Sequence, residues 1–223
     1  MKFNAHVETY DKYAVVQKKA CDVLISRMLA KLDLKNINSV LDIGCGTAYL
    51  ASLIQNNNSN CKIYLNDLSL NMLEFASNKL SKNCEILHGD FLNMSFEEVD
   101  LIVSNFSFQW IQNIDFALKK VTNLSKKAFI TLPIEGTFSN LINFNSIKLY
   151  SLEEIENVLC KLGVKYYLEL VNFNQEFINY FSFTKSLYKI GATSDSSRKI
   201  NGDIFFNSKV IADYKVLFIE IIN

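Results

Sequence analysis

Two glycines and three acidic residues recur at spacings that could bind a ribose-bearing ligand. In Val40-Leu41-Asp42-Ile43-Gly44-Cys45-Gly46-Thr47-Ala48-Tyr49-Leu50, an apolar run passes into a glycine turn and then into a helical pattern. Gly44 and Gly46 lack a Cβ, so the backbone can turn sharply and lie bare against a ligand. A helix starting near Thr47 would aim its unpaired N–H groups and positive dipole end at that loop. About 23 residues beyond Gly44 the next apolar run ends in Asp67-Leu68. That is the distance at which a βαβ unit delivers a carboxylate to ribose hydroxyls. A third run ends in Gly89-Asp90-Phe91, and a fourth ends at Asn105.

These residues need strands to hold them at one edge. The pattern predicts strands at Ser39–Ile43, Cys61–Asn66, Glu85–His88, Val99–Ser104, Lys127–Leu132, Lys165 to about Phe173, and Tyr214–Ile221. Helices are predicted at Tyr13–Leu34, Thr47–Ile54, Leu70–Leu80, Ile114–Asn123, from Ser151 to about Leu162, and over Glu176–Ile190. A short helix could open at Glu135–Asn140, and Ser151 with Glu154 has the form of a capping box. Strands alternating with helices imply one α/β domain, a Rossmann-like, mostly parallel seven-stranded sheet with helices on both faces. Gly44, Asp67, Asp90 and Asn105 then share the carboxyl edge, where such sheets bind ligands.

The 223 residues suffice for one such core. Lys+Arg and Asp+Glu are equal at 23 each, so no bulk field favours nucleic acid, and no nucleic-acid partner is expected. Five scattered cysteines, with no C-x-x-C, read as free thiols in a reducing compartment. Nothing at the amino terminus has the apolar core of a signal peptide, and no apolar run reaches the ~20 residues of a membrane span. A cytoplasmic protein with no membrane partner is expected. His6 and His88 form no triad or metal pattern, so no metal is expected.

The loop is not G-x-G-x-x-G, because Tyr49 stands third after Gly46. LDIGCGTAYL, NDLSLNMLEFA, GDF and SNFSFQW, in that order, resemble the class I S-adenosylmethionine (SAM)-dependent methyltransferases. The resemblance implies a class I methyltransferase fold with SAM as co-substrate. Asp67, beside Leu68, would take the ribose hydroxyls, and Asp90 and the Phe91 amide would take the adenine. Gly44 and Gly46 would leave main chain open to the methionine moiety, Asp42 would orient its ammonium, and the Asn105 carbonyl would lie nearby. Residues 1–38 would be an amino-terminal helical lid, 39–132 the SAM-binding core, and 133–223 substrate-side elements and final strands. In the lid, Tyr10 would reach the reacting centre and Gln17 the carboxylate end of the co-substrate; packing of the helix is the competing role for both.

Four further segments narrow the resemblance: Tyr10-Asp11-x-Tyr13-Ala14-x-x-Gln17, Ser104 to Trp110, Glu135 to Phe138, and Leu187 to Ala192. Together they resemble the malonyl-acyl-carrier-protein O-methyltransferases that start the pimeloyl branch of biotin synthesis. Family members usually carry a basic residue soon after the leading Phe, whereas this chain has Ala5 and His6. The resemblance implies methylation of the free carboxylate of a malonyl thioester, carried on acyl-carrier protein or coenzyme A. That carboxylate is already an anion, so positioning would replace a general base. Tyr10, Gln109 and Arg198 are the positioning candidates, with Gln109 and Trp110 lining the acyl pocket and Arg198 clamping the carboxylate. Arg27, the other arginine, reads as a solvated face of the first helix. Lys185, Lys189, Arg198 and Lys199 would dock an acidic carrier. Two other readings share these residues: methylation of another small carboxylic acid or a tRNA base, and a non-catalytic SAM-binding partner subunit.

Overall fold

A computed structural model describes residues 7–80, 83–141, 148–193 and 208–223. The chain forms α1 (Val7–Tyr13), α2 (Val15–Lys31), β1 (Ser39–Ile43), α3 (Tyr49–Asn57), β2 (Lys62–Asp67), α4 (Leu70–Lys79), β3 (Cys84–His88) and β4 (Leu101–Asn105). It continues through α5 (Ile114–Leu124), β5 (Lys127–Pro133), α6 (Leu152–Leu162), β6 (Tyr166–Phe177), α7 (Tyr180–Lys189) and β7 (Val210–Ile222). The seven strands make one sheet in the order β3-β2-β1-β4-β5-β7-β6. Pairings are parallel from β3 to β5, and β7 runs antiparallel to both β5 and β6.

The central strands are near-continuous apolar runs because helices cover both faces. On one face Val40, Ile63, Leu65 and Phe129 pack with Leu24, Met28, Leu50 and Leu73 of the helices. On the other, Leu41, Ile102, Ile130 and Ile219 pack with Leu118, Val121 and Leu159. Local chemistry starts the helices where the residues predict. The Ser69 hydroxyl accepts from the Met72 N–H, and the Asn113 amide oxygen from the Phe116 N–H. Ser151 and Glu154 close the capping box reciprocally at 3.1 and 2.7 Å.

The structure departs from the sequence pattern in three places. The helix predicted over Tyr13–Leu34 runs from Val15 to Lys31, and an unpredicted short helix, α1, precedes it across Ala14, whose ψ of 48° interrupts the winding. Residues 135–140 are successive turns rather than a helix, because Gly136 and Phe138 take φ of 90° and 62°. Phe138 holds that conformation by packing edge-on against Phe183 and Tyr214. The predicted helix from Glu176 begins only at Tyr180, since β6 runs on to Phe177 in register with Val210. Asn179 then caps α7, accepting from the Ser182 N–H at 2.8 Å.

Arg27 is not a solvated face residue. Its guanidinium lies over the Phe218 ring, donates to Glu169 on β6 at 2.7 Å, and reaches Glu220 on β7 at 3.5 Å. Lys31 donates to the second oxygen of Glu220. The Glu220 side chain is only 3% exposed, so α2 is fastened to the antiparallel end of the sheet through a buried carboxylate with two cations. Removing that carboxylate takes from Lys31 its direct carboxylate partner and leaves Arg27 with Glu169 alone. Glu220→Ala should destabilise the protein by about 3 kcal/mol in urea denaturation. Glu169→Ala, at a carboxylate 60% exposed, should cost under about 1 kcal/mol.

Candidate active site

The carboxyl ends of β1, β2, β3 and β4 meet below α1, and two connected clefts lie there. The larger encloses about 1240 Å³ and is lined by Asp67, Leu68, Asp90, Phe91, Trp110 and their neighbours. The smaller encloses about 410 Å³ and is lined by Gln17, Lys18, Asp42 and Thr47 among others. Tyr10, Gly44, Gly46 and Asn105 line both. All ten residues the sequence assigns to the co-substrate line these clefts, eight from the sheet edge, Tyr10 from α1 and Gln17 from α2.

The two glycines do different work. Gly44 has φ of 65°, and a Cβ on it would stand 2.3 Å from the Ser107 Cβ. Its lack of a side chain therefore serves close packing of the β1 turn on the β4 turn, as well as the cleft. Gly46, at φ 52°, has no atom within 4 Å of where a Cβ would go, so the space beside its Cα is open. Its N–H donates to Asp67 at 2.9 Å. The other Asp67 oxygen accepts from the Ser69 N–H at 2.8 Å. Burial pushes the Asp67 carboxyl up, and those N–H groups, with His88, pull it back.

Asp42 is 1% exposed, and its Oδ2 finds no hydrogen-bond partner among the described residues. Burial first, and then the charge of Asp67, push its carboxyl up to about 8. A buried carboxylate left unsatisfied at the wall of a cleft is costly unless a cation or a donor joins it.

Asp90 folds into its own turn. Oδ1 accepts from the Leu92 N–H at 2.9 Å and Oδ2 from the Asn93 side chain at 3.0 Å. Phe91 is buried against Phe96 and Phe108. The Asn105 side chain accepts from Thr131 at 2.6 Å and donates to the Gln17 carbonyl at 3.2 Å, so it ties β4 to β5 and to α2.

Tyr10 overhangs both clefts, and the residue that places it was not singled out in the sequence. Asp11 accepts from the Thr47 hydroxyl in the glycine loop at 2.6 Å and from Lys79 at the end of α4 at 2.6 Å. Lys18 stands 4.0 Å away. These partners lie 36 and 68 residues along the chain, a separation no local pattern reveals. Trp110 lines the larger cleft with Ile111 and Gln112, which the sequence reading passed over. Gln109 lines neither cleft; its amide donates back to the Phe106 carbonyl at 2.7 Å. His88 is exposed, with Nε2 3.2 Å from the Leu68 carbonyl. His6, Arg198 and Lys199 lie outside the described residues. No group of metal-ligating side chains occurs among the described residues, and none of their helices is long and apolar enough to cross a membrane.

Sequence comparison agrees with this architecture. Residues 40–128 match the methyltransferase domain family. The YcgJ protein of Bacillus subtilis superposes with a TM-score of 0.65 at 16% identity, over 89% of this chain and 97% of its own, a likeness of fold alone. The fold is that of the class I methyltransferases. The malonyl-[acyl-carrier protein] O-methyltransferase of Priestia megaterium is 30% identical over 224 residues, covering 87% of this chain and 81% of its own length. That of Neorickettsia risticii is 29% identical, covering 85% and 80%. This chain belongs to the malonyl-[acyl-carrier protein] O-methyltransferase family.

The Asp11 latch has a pH signature. Burial raises its carboxyl, but hydrogen bonds from Lys79 and Thr47 and the charges of Lys79 and Lys18 outweigh that and hold it below its usual value. A depressed carboxylate contributes stability that is present above its unfolded value of about 4 and is lost as pH falls through the folded one. Asp11→Asn should therefore melt below wild type at pH 7, and the gap should close as both are acidified below pH 4.

Proposed function

We propose that this chain transfers a methyl group from SAM to the free carboxylate of a malonyl thioester on acyl-carrier protein, giving the methyl ester that primes pimeloyl synthesis for biotin. Family membership supports the acceptor, since relatives bearing that name align over four-fifths of their own length. The single observation that carries the donor is Asp42, a buried carboxylate with an unsatisfied oxygen on a residue that lines the smaller cleft together with Gly46. Those residues fit an amino acid's ammonium.

When bound, SAM supplies a methyl group on a sulfonium, which an anion can take by in-line displacement. The chain's part is to bind and orient. Asp42 would hold the ammonium, with the Asn105 carbonyl and Gln17 beside it and the main chain of Gly44 and Gly46 along the methionine moiety. Asp67, next to Leu68, would accept from the ribose hydroxyls with the oxygen capacity that Gly46 and Ser69 leave it. Asp90 and the Phe91 amide would read the adenine. Tyr10, held down through Asp11, would cover the reacting centre and exclude water.

No histidine stands among the described residues lining the larger cleft, and an acceptor that arrives already ionised needs no general base. Trp110 would flank the acyl chain. Gln109, turned away from the cleft, would act only by holding the Phe106 turn. Arg198 would clamp the malonyl carboxylate. Lys185, exposed on α7, and Lys189 would meet the carrier together with Arg198 and Lys199; α7 packs on α1, so that surface adjoins the lid. The protein would act in the cytoplasm, without a metal.

Two measurements test this reading. Purified protein with labelled SAM should add one methyl to malonyl-carrier protein and none to acetyl-carrier protein by mass spectrometry. Transfer instead to a free acid or to tRNA would overturn the acceptor, and SAM binding without transfer to any of them would make the chain a partner subunit. Independently, Asp42 carries a proton below about pH 8 in the ligand-free protein and must lose it to pair with an ammonium. Binding of S-adenosylhomocysteine at pH 7 should therefore release close to one proton, read by calorimetry in buffers of different ionisation enthalpy. Asp42→Asn should bind more weakly with no such release.

A further inference from the structure

β3 and β4 are joined by residues 89–100 with no helix between them. The turn at 90–94 carries Asp90 and Phe91 into the larger cleft, and its own hydrogen bonds satisfy only part of it. The Asn93 and Met94 N–H groups both donate to the Asp90 carbonyl, at 3.0 and 3.1 Å. That leaves the carbonyls of Phe91, Leu92 and Met94 in need of donors.

One side chain meets all three. Lys120, on α5, donates from Nζ to Phe91 O at 2.6 Å, to Leu92 O at 3.2 Å and to Met94 O. An ammonium has three hydrogens, so its donor capacity is spent on this turn. Nζ also lies 4.9 and 5.1 Å from the centroids of the Phe91 and Phe96 rings. No described carboxylate pairs with it directly; burial lowers its affinity for the proton, and the Asp90 charge opposes that. A half-buried cation bound only by main-chain carbonyls and ring faces is not there for surface charge.

We propose that Lys120 is a positioning residue for the adenine end of the site, acting through the 91–94 carbonyls to fix the Asp90 carboxylate and the Phe91 amide. It does in one side chain what a helix start after β3 would otherwise do for this turn. The proposal rests on SAM being the co-substrate, and it adds a residue that touches neither the nucleoside nor the reacting atoms.

The test compares S-adenosylhomocysteine with S-inosylhomocysteine, which carries a ring carbonyl where adenine has its amino group. Wild type should prefer the adenosyl ligand in calorimetric titrations. In Lys120→Met the adenosyl ligand should weaken about ten-fold, while the inosyl ligand weakens much less, so the preference collapses. Lys120→Gln, which keeps two donors, should fall between them, and it decides the matter if the Met variant does not fold. Equal weakening of both ligands, or an unchanged preference in either folded variant, would overturn the role of Lys120. Wild type that binds neither ligand would instead overturn the SAM reading and the proposal with it.

Discussion

Asp42 and Asp67 stand at neighbouring strand ends in a water-poor interior, where two negative charges repel strongly. The protein resolves the repulsion unequally. Asp67 receives the N–H groups of Gly46 and Ser69, while one oxygen of Asp42 is left with nothing described to hold. That asymmetry sets what the glycine loop must do. It must bring an N–H to one carboxylate, leave main chain open beside the other, and still pack on Ser107. Buried polar groups elsewhere serve the same end: Asn66, 2% exposed, donates to the Leu87 and Gly89 carbonyls and so aligns β3 with β2 below the Asp90 turn.

α2 links this edge to the far side of the sheet. Near its start the Gln17 carbonyl accepts from Asn105, and near its end Arg27 and Lys31 grip Glu220. The helix is thus fixed at both ends by polar contacts and along its length by Val16, Ala20, Leu24 and Met28. α1, by contrast, has no buried residues, and Asp11 pins it to the glycine loop and to α4 beside its packing on α7. A rigid helix beside a lightly held one is a sensible arrangement for a cleft that must admit a ligand and then be covered.

Much of this was legible in the residues. β1 and β4 are short apolar runs buried on both faces, and that composition is distinctive. The gathering of residues at strand ends was legible too, because βαβ geometry forces Gly44, Asp67 and Asp90 to one edge whatever the loops do. The terminal hairpin was misjudged in length, since Phe177, Tyr180, Phe183 and Leu187 fit a helical stripe as well as Phe177 fits a strand. Only pairing with β7 decides that, and it is a long-range fact. Arg27, Asp11 and Lys120 were opaque for the same reason: each acts on partners in distant elements, and a lone charge on a helix looks like a solvated one.

The place of β7 in the sheet bears on synthesis. β6 pairs with β7 alone, and β5 has β4 on one side and β7 on the other. Until residues 210–222 have left the ribosome, twelve residues of β6 and one whole edge of β5 have no strand to join. The nascent chain must carry the bare edge of β5 while α6, β6 and α7 are being made, and an unpaired β6 as well while α7 follows, the kind of surface that invites other chains. Holding that interval short, or shielding it with a chaperone, would limit such pairing.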